Sequence, residues 1–193
     1  SADWITFAQT RAMTTHELIF HVSPNDVTEP REGKITFTSG DIKEEVTIAQ
    51  AGKEVSYEEV YAKEKAILTT LFEATGGSGW NDNTNWCSDL PVSQWYGILT
   101  DLDGFVTDIS LQFNNLTGTI PEGLSGLERL ISLDLSYNNL PGSIPAEIGS
   151  ISNLYLIYLN FNQFSGSIPP ELSNLQNLEY LELSKNQLTG TIP

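Results

Sequence analysis

Residues 130–145 read LISLDLSYNNLPGSIP, and the same pattern returns every 24 residues along the C-terminal half of the chain. Apolar residues fill the first, fourth and sixth positions of each copy, and Asn fills the ninth. The copies start at Val106, Leu130, Leu154 and Leu178. A fixed period of this length is the signature of stacked coils that bury a continuous core between them. The sequence therefore predicts a solenoid over residues 105–193.

The repeated positions each have a structural reason. Apolar residues that alternate with polar ones at the start of each copy predict a short strand with one buried face. The repeated Asn follows where the chain leaves the strand, and its amide can satisfy backbone groups that the bend leaves unpaired. The Gly permits a tight backbone path, and the Pro removes a donor where no ladder partner exists. We therefore place no ligand on these repeated residues.

These residues resemble the plant-type leucine-rich repeat, L-x-x-L-x-L-x-x-N-x-L-x-G-x-I-P, over residues 105–193. The resemblance implies a right-handed solenoid with a parallel sheet on its concave side. It also implies irregular or short helical turns on the convex side.

A helix should precede the repeats. Ser56-Tyr57-Glu58-Glu59 has the pattern of a capping box, and Gly76-Gly77 marks a helix end. The stripe that we expect to be buried consists of Val60, Ile67, Leu68, Leu71 and Phe72. Together with the segment after it, which contains Trp80, Trp86-Cys87 and Trp95-Tyr96-Gly97-Ile98, this helix resembles the N-terminal cap of plant-type leucine-rich repeats, over residues 53–104.

The family cap carries a second cysteine where this chain has Thr100. The resemblance therefore implies that the cap disulfide is absent. We expect Cys87 to be a buried thiol beside tryptophans, with a partner elsewhere as the alternative. The segment Asp101-Leu102-Asp103-Gly104 lacks the later ligands of a calcium loop, so we predict a hairpin turn there.

The first 52 residues predict an all-β module, with strands at residues 4–8, 17–22, 34–38 and 45–50. Trp4, the Arg31–Gly40 segment and the closing Gln50-Ala51-Gly52 resemble the BACON family. This resemblance implies an immunoglobulin-like sandwich, found in secreted gut-bacterial proteins and associated with carbohydrate binding. Four strands are too few for a sandwich of about seven, so we expect its first strands to lie upstream of Ser1. More repeats or a cap should likewise follow Pro193.

The predicted fold class is thus α+β and multidomain. Residues 1–52 form an incomplete, small all-β immunoglobulin-like module, and residues 53–193 form the leucine-rich repeat domain. That domain divides into a linker, helical cap and cap loops over 53–104 and four repeats over 105–193.

Composition excludes several classes of partner. The 25 Asp and Glu residues against 9 Lys and Arg give a net charge of −16, which repels nucleic acid and anionic lipid. No apolar run is long enough to span a bilayer. His16 and His21 do not make a metal site, and the sequence has no phosphate loop, dinucleotide motif or zinc-protease motif. We therefore predict no enzyme activity, cofactor or metal within this chain.

Binding is the better prediction, and the repeat register indicates where. Three columns should face out from the concave side: Asp108, Ser132, Leu156 and Tyr180; Ser110, Asp134, Tyr158 and Glu182; and Phe113, Tyr137, Phe161 and Lys185. The candidate ligand-binding residues are Phe113, Tyr137, Phe161, Tyr158, Tyr180, Asp134 and Glu182, which make an amphipathic platform for a peptide or sugar rings. For Phe113 and Phe161 a purely structural role, packing against equivalent residues of neighbouring coils, has equal weight.

The sequence supports three alternative functional hypotheses. The leading hypothesis is a non-enzymatic, exported recognition module of a bacterium, extracellular or at the cell surface, that binds a protein through its concave sheet. The second is a glycan-binding module of a polysaccharide-utilisation system. The third is the non-catalytic front part of a larger secreted enzyme. The prediction of export rests on the family resemblance alone, because the chain does not start with a signal sequence that would support it directly.

Overall fold

The computed structural model describes residues 5–7, 20–23, 25, 27, 29–39, 42–51 and 57–193. The chain forms two compact units, Ser1–Ser56 and Tyr57–Pro193. His16 and the predicted N-cap Ser56 lie outside the described residues, and for His21 only the backbone is described.

The first unit contains the four strands that the sequence predicts. Strand β1 (Ile5–Phe7) pairs antiparallel with β2 (Phe20–Val22), and β3 (Arg31–Ser39) pairs antiparallel with β4 (Ile42–Gln50). The β3–β4 hairpin is longer than the apolar alternation predicts, since all nine residues of each strand are paired. The immunoglobulin-like sandwich stays a prediction.

Arg31 and Gln50 join the ends of this hairpin to the loop before it. The Arg31 Nε atom donates to Gln50 Oε1 at 2.9 Å, and both side chains donate to the Ser23 carbonyl oxygen. Asn25 is buried and donates to the Ala51 carbonyl oxygen at 3.1 Å. Arg31 and Gln50, which contribute to the resemblance to the BACON family, therefore also have a defined structural role.

The second unit combines one long helix with stacked coils. Its helix is α1 (Tyr57–Ala74), and its strands are β5 (Ile98–Thr100), β6 (Val106–Ser110), β7 (Ser132–Asp134), β8 (Pro141–Gly142), β9 (Leu156–Tyr158), β10 (Gln163–Ser167), β11 (Tyr180–Glu182) and β12 (Gln187–Thr189). Short 3₁₀ helices occupy Gly77–Gly79, Val92–Gln94, Glu122–Gly126, Ala146–Ser150 and Pro170–Asn174. The last three lie on the convex side, where short helical turns were predicted.

The predicted helix is present and ends two residues before Gly76, which has a left-handed φ of 71°. Leu68 and Leu71 are fully buried in the core that the helix shares with the coils. The carboxylate of Glu64 is also buried, and its Oε2 atom accepts a hydrogen bond from the Val106 amide at 2.9 Å. Helix α1 is thereby attached to the first strand of the repeats.

Two parallel sheets run along the coils. The concave sheet has the order β11-β9-β7-β6-β5, with β5 antiparallel to β6 and the other neighbours parallel. The β5–β6 turn is closed by a 3.0 Å bond from the Gly104 amide to the Asp101 carbonyl oxygen, so the predicted hairpin turn is confirmed. A second parallel sheet, β12-β10-β8, follows the repeated Asn and was not predicted.

The repeated Asn residues satisfy backbone groups at the bend, as predicted, and also connect successive coils. The Asn138 Oδ1 atom accepts from the amides of Asn114 and Leu116 at 3.0 and 2.9 Å. Its Nδ2 atom donates to the carbonyl oxygens of Leu111 and Leu135 at 2.8 and 3.0 Å. One buried side chain thus satisfies backbone groups of its own coil and of the coil before it.

The expectation of a buried Cys87 is wrong, because the Cys87 side chain is exposed. Asn85 and Cys87 both adopt left-handed backbone angles, with φ of 65° and 58°. Between them Trp86 is buried against Trp80, with 4.8 Å between ring centroids. The backbone turns the indole of Trp86 into the core and leaves the neighbouring thiol on the surface.

Candidate binding surface

Phe113, Tyr137 and Phe161 form a column of aromatic side chains just beyond the ends of the concave strands; we call it the aromatic column. Their φ angles are 57°, 55° and 54°, in the left-handed region that few non-glycine residues adopt. The amide of each donates to a carbonyl oxygen of the next coil at 3.0 to 3.2 Å, which holds the bend. Because the bend repeats in every coil, the three side chains project in the same direction.

The three rings stack on one another. The centroids of Phe113 and Tyr137 are 4.1 Å apart at an interplanar angle of 16°, and those of Tyr137 and Phe161 are 4.3 Å apart at 10°. The side chains remain 62%, 40% and 40% exposed in chain order. Both faces of the Tyr137 ring are covered by its neighbours, so Tyr137 presents its edge to solvent. Stacking of this kind also stabilises adjacent coils, as the structural alternative for Phe113 and Phe161 supposes.

Asp134, Tyr158 and Glu182 form a row across β7, β9 and β11, in the register that the sequence predicts. We call these three residues the acidic row. The Asp134 Oδ1 atom accepts from the Ser136 amide at 2.9 Å and from the Ser136 hydroxyl at 2.6 Å. The Ser184 hydroxyl and amide bind Glu182 in the same way and lower the pKa of that carboxyl. The two carboxylates are therefore held in fixed orientations beside Tyr158.

Tyr180 lies in the neighbouring column, opposite Leu156, and is half exposed. Its ring meets the Tyr155 ring edge to face, with centroids 5.6 Å apart. The Tyr155 hydroxyl donates to Glu179 Oε2 at 2.6 Å, and this bond raises the pKa of Tyr155 to about 12. Tyr155 and Glu179 are not among the ligand-binding residues that the sequence predicts.

These two residues belong to a groove of about 660 Å³ at the starts of the concave strands. The groove is lined by Asp101, Thr107, Arg129, Ile131, Asn153, Tyr155, Gln176, Asn177 and Glu179. A signal was available in the sequence, since Thr107, Ile131, Tyr155 and Glu179 share one position of the 24-residue period. That column precedes the strand in the last three coils, lies within β6 in the first, and was not included among the outward-facing positions.

Arg129, which lines this groove, already interacts with other residues of the chain. Its Nη1 atom lies 2.6 Å from Asp101 Oδ2 and 3.0 Å from Asp103 Oδ2. Its guanidinium carbon also lies 4.0 Å from the centroid of the Phe105 ring. The side chain therefore supports the β5–β6 turn and is not free to meet an anionic ligand.

The structure brings the predicted site residues together in two groups on one side of the unit. The acidic row crosses the middle of the concave sheet with Tyr180 beside it, and the aromatic column lies past the strand ends. Over the described residues, no group of three His, Cys, Asp or Glu side chains is placed to hold a metal ion. Within the same residues, no helix has the length and apolar character to cross a membrane.

Models of two known protein families match parts of this chain. Two models of the leucine-rich repeat family match residues 106–164 and 177–193, and the model of BACON, a proposed N-terminal binding domain, matches residues 1–51. The chain is a leucine-rich repeat protein with a BACON-like module. Both family resemblances read from the sequence are confirmed, and the BACON match ends one residue before the predicted boundary at residue 52.

Solved structures similar to this leucine-rich repeat protein include plant receptor ectodomains. The Arabidopsis receptor kinase HAESA, in complex with the peptide hormone IDA and the co-receptor SERK1, is 32% identical over 68% of this chain and 22% of HAESA, with a TM-score of 0.59. The leucine-rich repeat ectodomain of the Arabidopsis thaliana receptor kinase SOBIR1 is 29% identical over 66% of this chain and 68% of SOBIR1, with a TM-score of 0.53.

A plant ice-binding protein is also similar, at 28% identity over 68% of this chain and 51% of its own, with a TM-score of 0.50. Comparison with curated proteins finds no match. The chain spans only about a fifth of the length of HAESA and of the receptor in the PEPR1–AtPEP1 structure, at 22% and 19%. These likenesses support the solenoid fold.

Proposed function

We propose that this leucine-rich repeat protein is a non-enzymatic recognition module that binds a protein partner through its concave sheet. The observation that carries the proposal is a set of exposed aromatic side chains at positions that the repeat leaves variable, namely Tyr137, Phe161 and Tyr180. Large apolar side chains left exposed together on a rigid surface are typical of protein interfaces, where Tyr and Phe are enriched. The hydrogen-bonded bend after each concave strand fixes the spacing of Tyr137 and Phe161, and strand β11 holds Tyr180, so little order has to be gained on binding.

The similar structures support the same proposal. HAESA, the neighbour at 32% identity, was solved with a peptide hormone and a co-receptor bound. The similar parts of HAESA and SOBIR1 are ectodomains of receptor kinases, which supports an extracellular or cell-surface location for this protein. We place it in a bacterium because of the BACON-like module, which we infer acts as an adaptor beside the recognition domain. Helix α1 and the β5–β6 hairpin then serve as the N-terminal cap of the solenoid.

Binding of a glycan is the second candidate, and half-exposed Tyr180 is the observation that favours it. A sugar ring stacks on a free aromatic face, whereas both faces of Tyr137 are covered within the aromatic column. A stacked column that presents edges and a hydroxyl suits the side chains of a protein better than the flat face of a sugar. The protein partner is therefore the preferred proposal.

Selection from a displayed library of random 12-residue peptides, followed by calorimetry with the full chain, tests the proposal. We expect peptides whose affinity falls at least about tenfold in the Tyr137→Ala/Phe161→Ala double variant, as hot-spot aromatics do. Tyr96→Ala is the control, because Tyr96 is similarly exposed at 39% but belongs neither to the aromatic column nor to the concave strands. Peptides that bind both variants as well as the native chain would contradict the proposal.

A glycan array separates the second candidate from the first. Signal on a glycan that disappears in Tyr158→Ala and Tyr180→Ala would support glycan binding and count against the protein partner. No signal on any glycan would contradict the glycan-binding candidate.

A further inference from the structure

We propose that the concave sheet recognises a cationic side chain, Lys or Arg, of its protein partner at Tyr158, between Asp134 and Glu182. The inference rests on the proposed function and adds the chemistry of the partner. The acidic row is the set of residues that carries it.

The geometry places an aromatic ring between two carboxylates. Asp134 is paired with Tyr158, and Tyr158 with Glu182, on adjacent parallel strands. Parallel neighbours lie about 4.8 Å apart, so each carboxylate flanks the tyrosine and the two carboxylates lie roughly 10 Å from each other. A cation over the Tyr158 ring gains a cation–π contact and attraction from both sides. The separation is too large for the two carboxylates to share one metal ion, whose oxygen ligands lie within about 2.6 Å of it.

The polar atoms of the row are positioned yet still available. Ser136 orients Asp134 through Oδ1 alone, and across the described residues no donor contacts Asp134 Oδ2. The Tyr158 hydroxyl also has no hydrogen-bond partner in that part of the chain. Ser184 holds Glu182 in place. Groups that are fixed by the fold and lack a partner of their own are ready to bind a charged ligand without reorganisation.

Within the part of the chain that the structure describes, no cation is paired with the acidic row. Residues 105–193 contain eight acidic residues and only two basic ones, Arg129 and Lys185. Arg129 is bound to Asp101 and Asp103. Among the residues described by the structure, neither Asp134 nor Glu182 forms an ion pair with any Lys or Arg. The negative charge at this place is therefore uncompensated, and a partner can supply the complement.

The surroundings of the row favour a long cationic side chain over a small free cation. Leu156 and Tyr180 lie in the next column of the sheet, and the aromatic column lies beyond the strand ends. Lys and Arg combine an aliphatic stem with a charged end, so the stem can pack on these apolar groups while the charge reaches the carboxylates. Basic peptide segments are thus the expected partner surface.

The peptides selected above test this inference through a double charge variant of the full chain, Asp134→Asn/Glu182→Gln. Asn and Gln keep an acceptor for the serine amides, so the fold should persist, and circular dichroism checks this. We expect selected peptides to contain Lys or Arg and to lose at least about tenfold in affinity at low salt, with a smaller loss as salt screens the charges. Glu147→Gln/Glu171→Gln is the matched control, since it removes the same charge from the convex side, where both residues are exposed.

Exchanging the arginine of the peptide for neutral citrulline gives a second measurement that leaves the protein unchanged. The loss should be large for the native chain and small for Asp134→Asn/Glu182→Gln, because the two changes remove the same contact. Equal losses in both proteins, or equal effects of the two charge variants, would overturn the inference.

The outcomes also separate this inference from the proposed function. Peptides that lack Lys and Arg but depend on Tyr137 and Phe161 would overturn the cation site and leave protein binding in place. Peptides insensitive to both groups of residues, or no peptide at all, would overturn both.

Discussion

Glu64 is a carboxylate that the fold buries at the junction of helix α1 and strand β6. Burial raises the pKa of this carboxyl, while the hydrogen bond from the Val106 amide opposes the rise only in part. Removal of an ionised group from water costs free energy, and a raised pKa is the measurable sign of that cost. At neutral pH the contact between helix and repeats therefore carries an electrostatic penalty together with its hydrogen bond.

We predict that Glu64→Gln raises the free energy of unfolding at pH 7. At a pH below the pKa that the Glu64 carboxyl has in the unfolded chain, Glu64 is protonated in both the folded and the unfolded state. Its burial then carries no electrostatic penalty. As pH rises through its higher folded pKa the native state must ionise a buried group, so stability is lost. Gln keeps an oxygen for the Val106 amide and carries no charge, so the difference between variant and native chain should shrink toward pH 4.

Urea unfolding followed by circular dichroism between pH 4 and pH 7 measures this difference. Glu73→Gln on the exposed side of the same helix is the control and should change stability little. A variant less stable than the native chain at pH 7 would show that the charged hydrogen bond outweighs the cost of burial.

Among the elements, helix α1 and the first coil approach each other closely at Gly118. A Cβ atom on Gly118 would lie 2.2 Å from the carbonyl oxygen of Ala74, and the φ angle there is +72°. Gly166 occupies the equivalent position two coils later with a φ of +80°, but its Cβ would meet no atom within 4 Å. The repeated Gly is therefore required by backbone conformation in each coil and by close packing at the helix end only.

This pair of positions gives a prediction with its own control. Gly166→Ala should lower stability by about 1–2 kcal/mol, the cost of a side chain in the left-handed region. Gly118→Ala should lower it further, because the helix end must also move away. Calorimetric unfolding of the two variants measures the difference, and equal losses would show that the helix does not resist displacement at this point.

Much of this architecture could be predicted from the sequence, since the repeat fixes both spacing and direction. The strands at the starts of the coils, the hairpin turn and the role of Asn138 follow from apolar alternation and from hydrogen-bonding capacity. The second sheet could not be foreseen, because strands as short as Pro141–Gly142 leave no alternation to read. Likewise the apolar neighbours of Cys87 predicted burial, whereas the left-handed backbone at Asn85 and Cys87 decides where the thiol points.

The candidate site was predictable in part for the same reason. Periodicity placed the acidic row and the aromatic column correctly in register. It predicted that the aromatic side chains of neighbouring coils pack on one another, but not the ring angles or the groove that includes Tyr155, because those depend on side-chain conformation across coils. The stacking leaves the Tyr137 ring with its edge rather than a face exposed.

On the scale of the whole molecule, the dominant physical quantity is the net charge of −16. A solenoid separates charges along its length, yet the 24-residue period brings Glu147 and Glu171 to equivalent positions of successive coils. Among the described ion pairs, Lys34 with Glu45 and Lys63 with Glu128 are exposed and contribute little, and Arg129 neutralises only part of the charge of Asp101 and Asp103. Repulsion between carboxylates should therefore outweigh attraction in the folded state.

We predict that the midpoint of thermal unfolding rises as NaCl increases from about 10 to about 200 mM at pH 7, because the Debye length shortens from roughly 30 to below 10 Å. Each kcal/mol of repulsion relieved should raise the midpoint by about 2–4 °C for a protein of this size. Scanning calorimetry measures the shift, and KCl at equal ionic strength shows whether screening or binding of Na⁺ causes it. The Glu147→Gln/Glu171→Gln variant, with two charges fewer, should respond less to salt. A midpoint that falls with salt would instead show that the ion pairs of Lys63 and Arg129 dominate the electrostatic free energy of the fold.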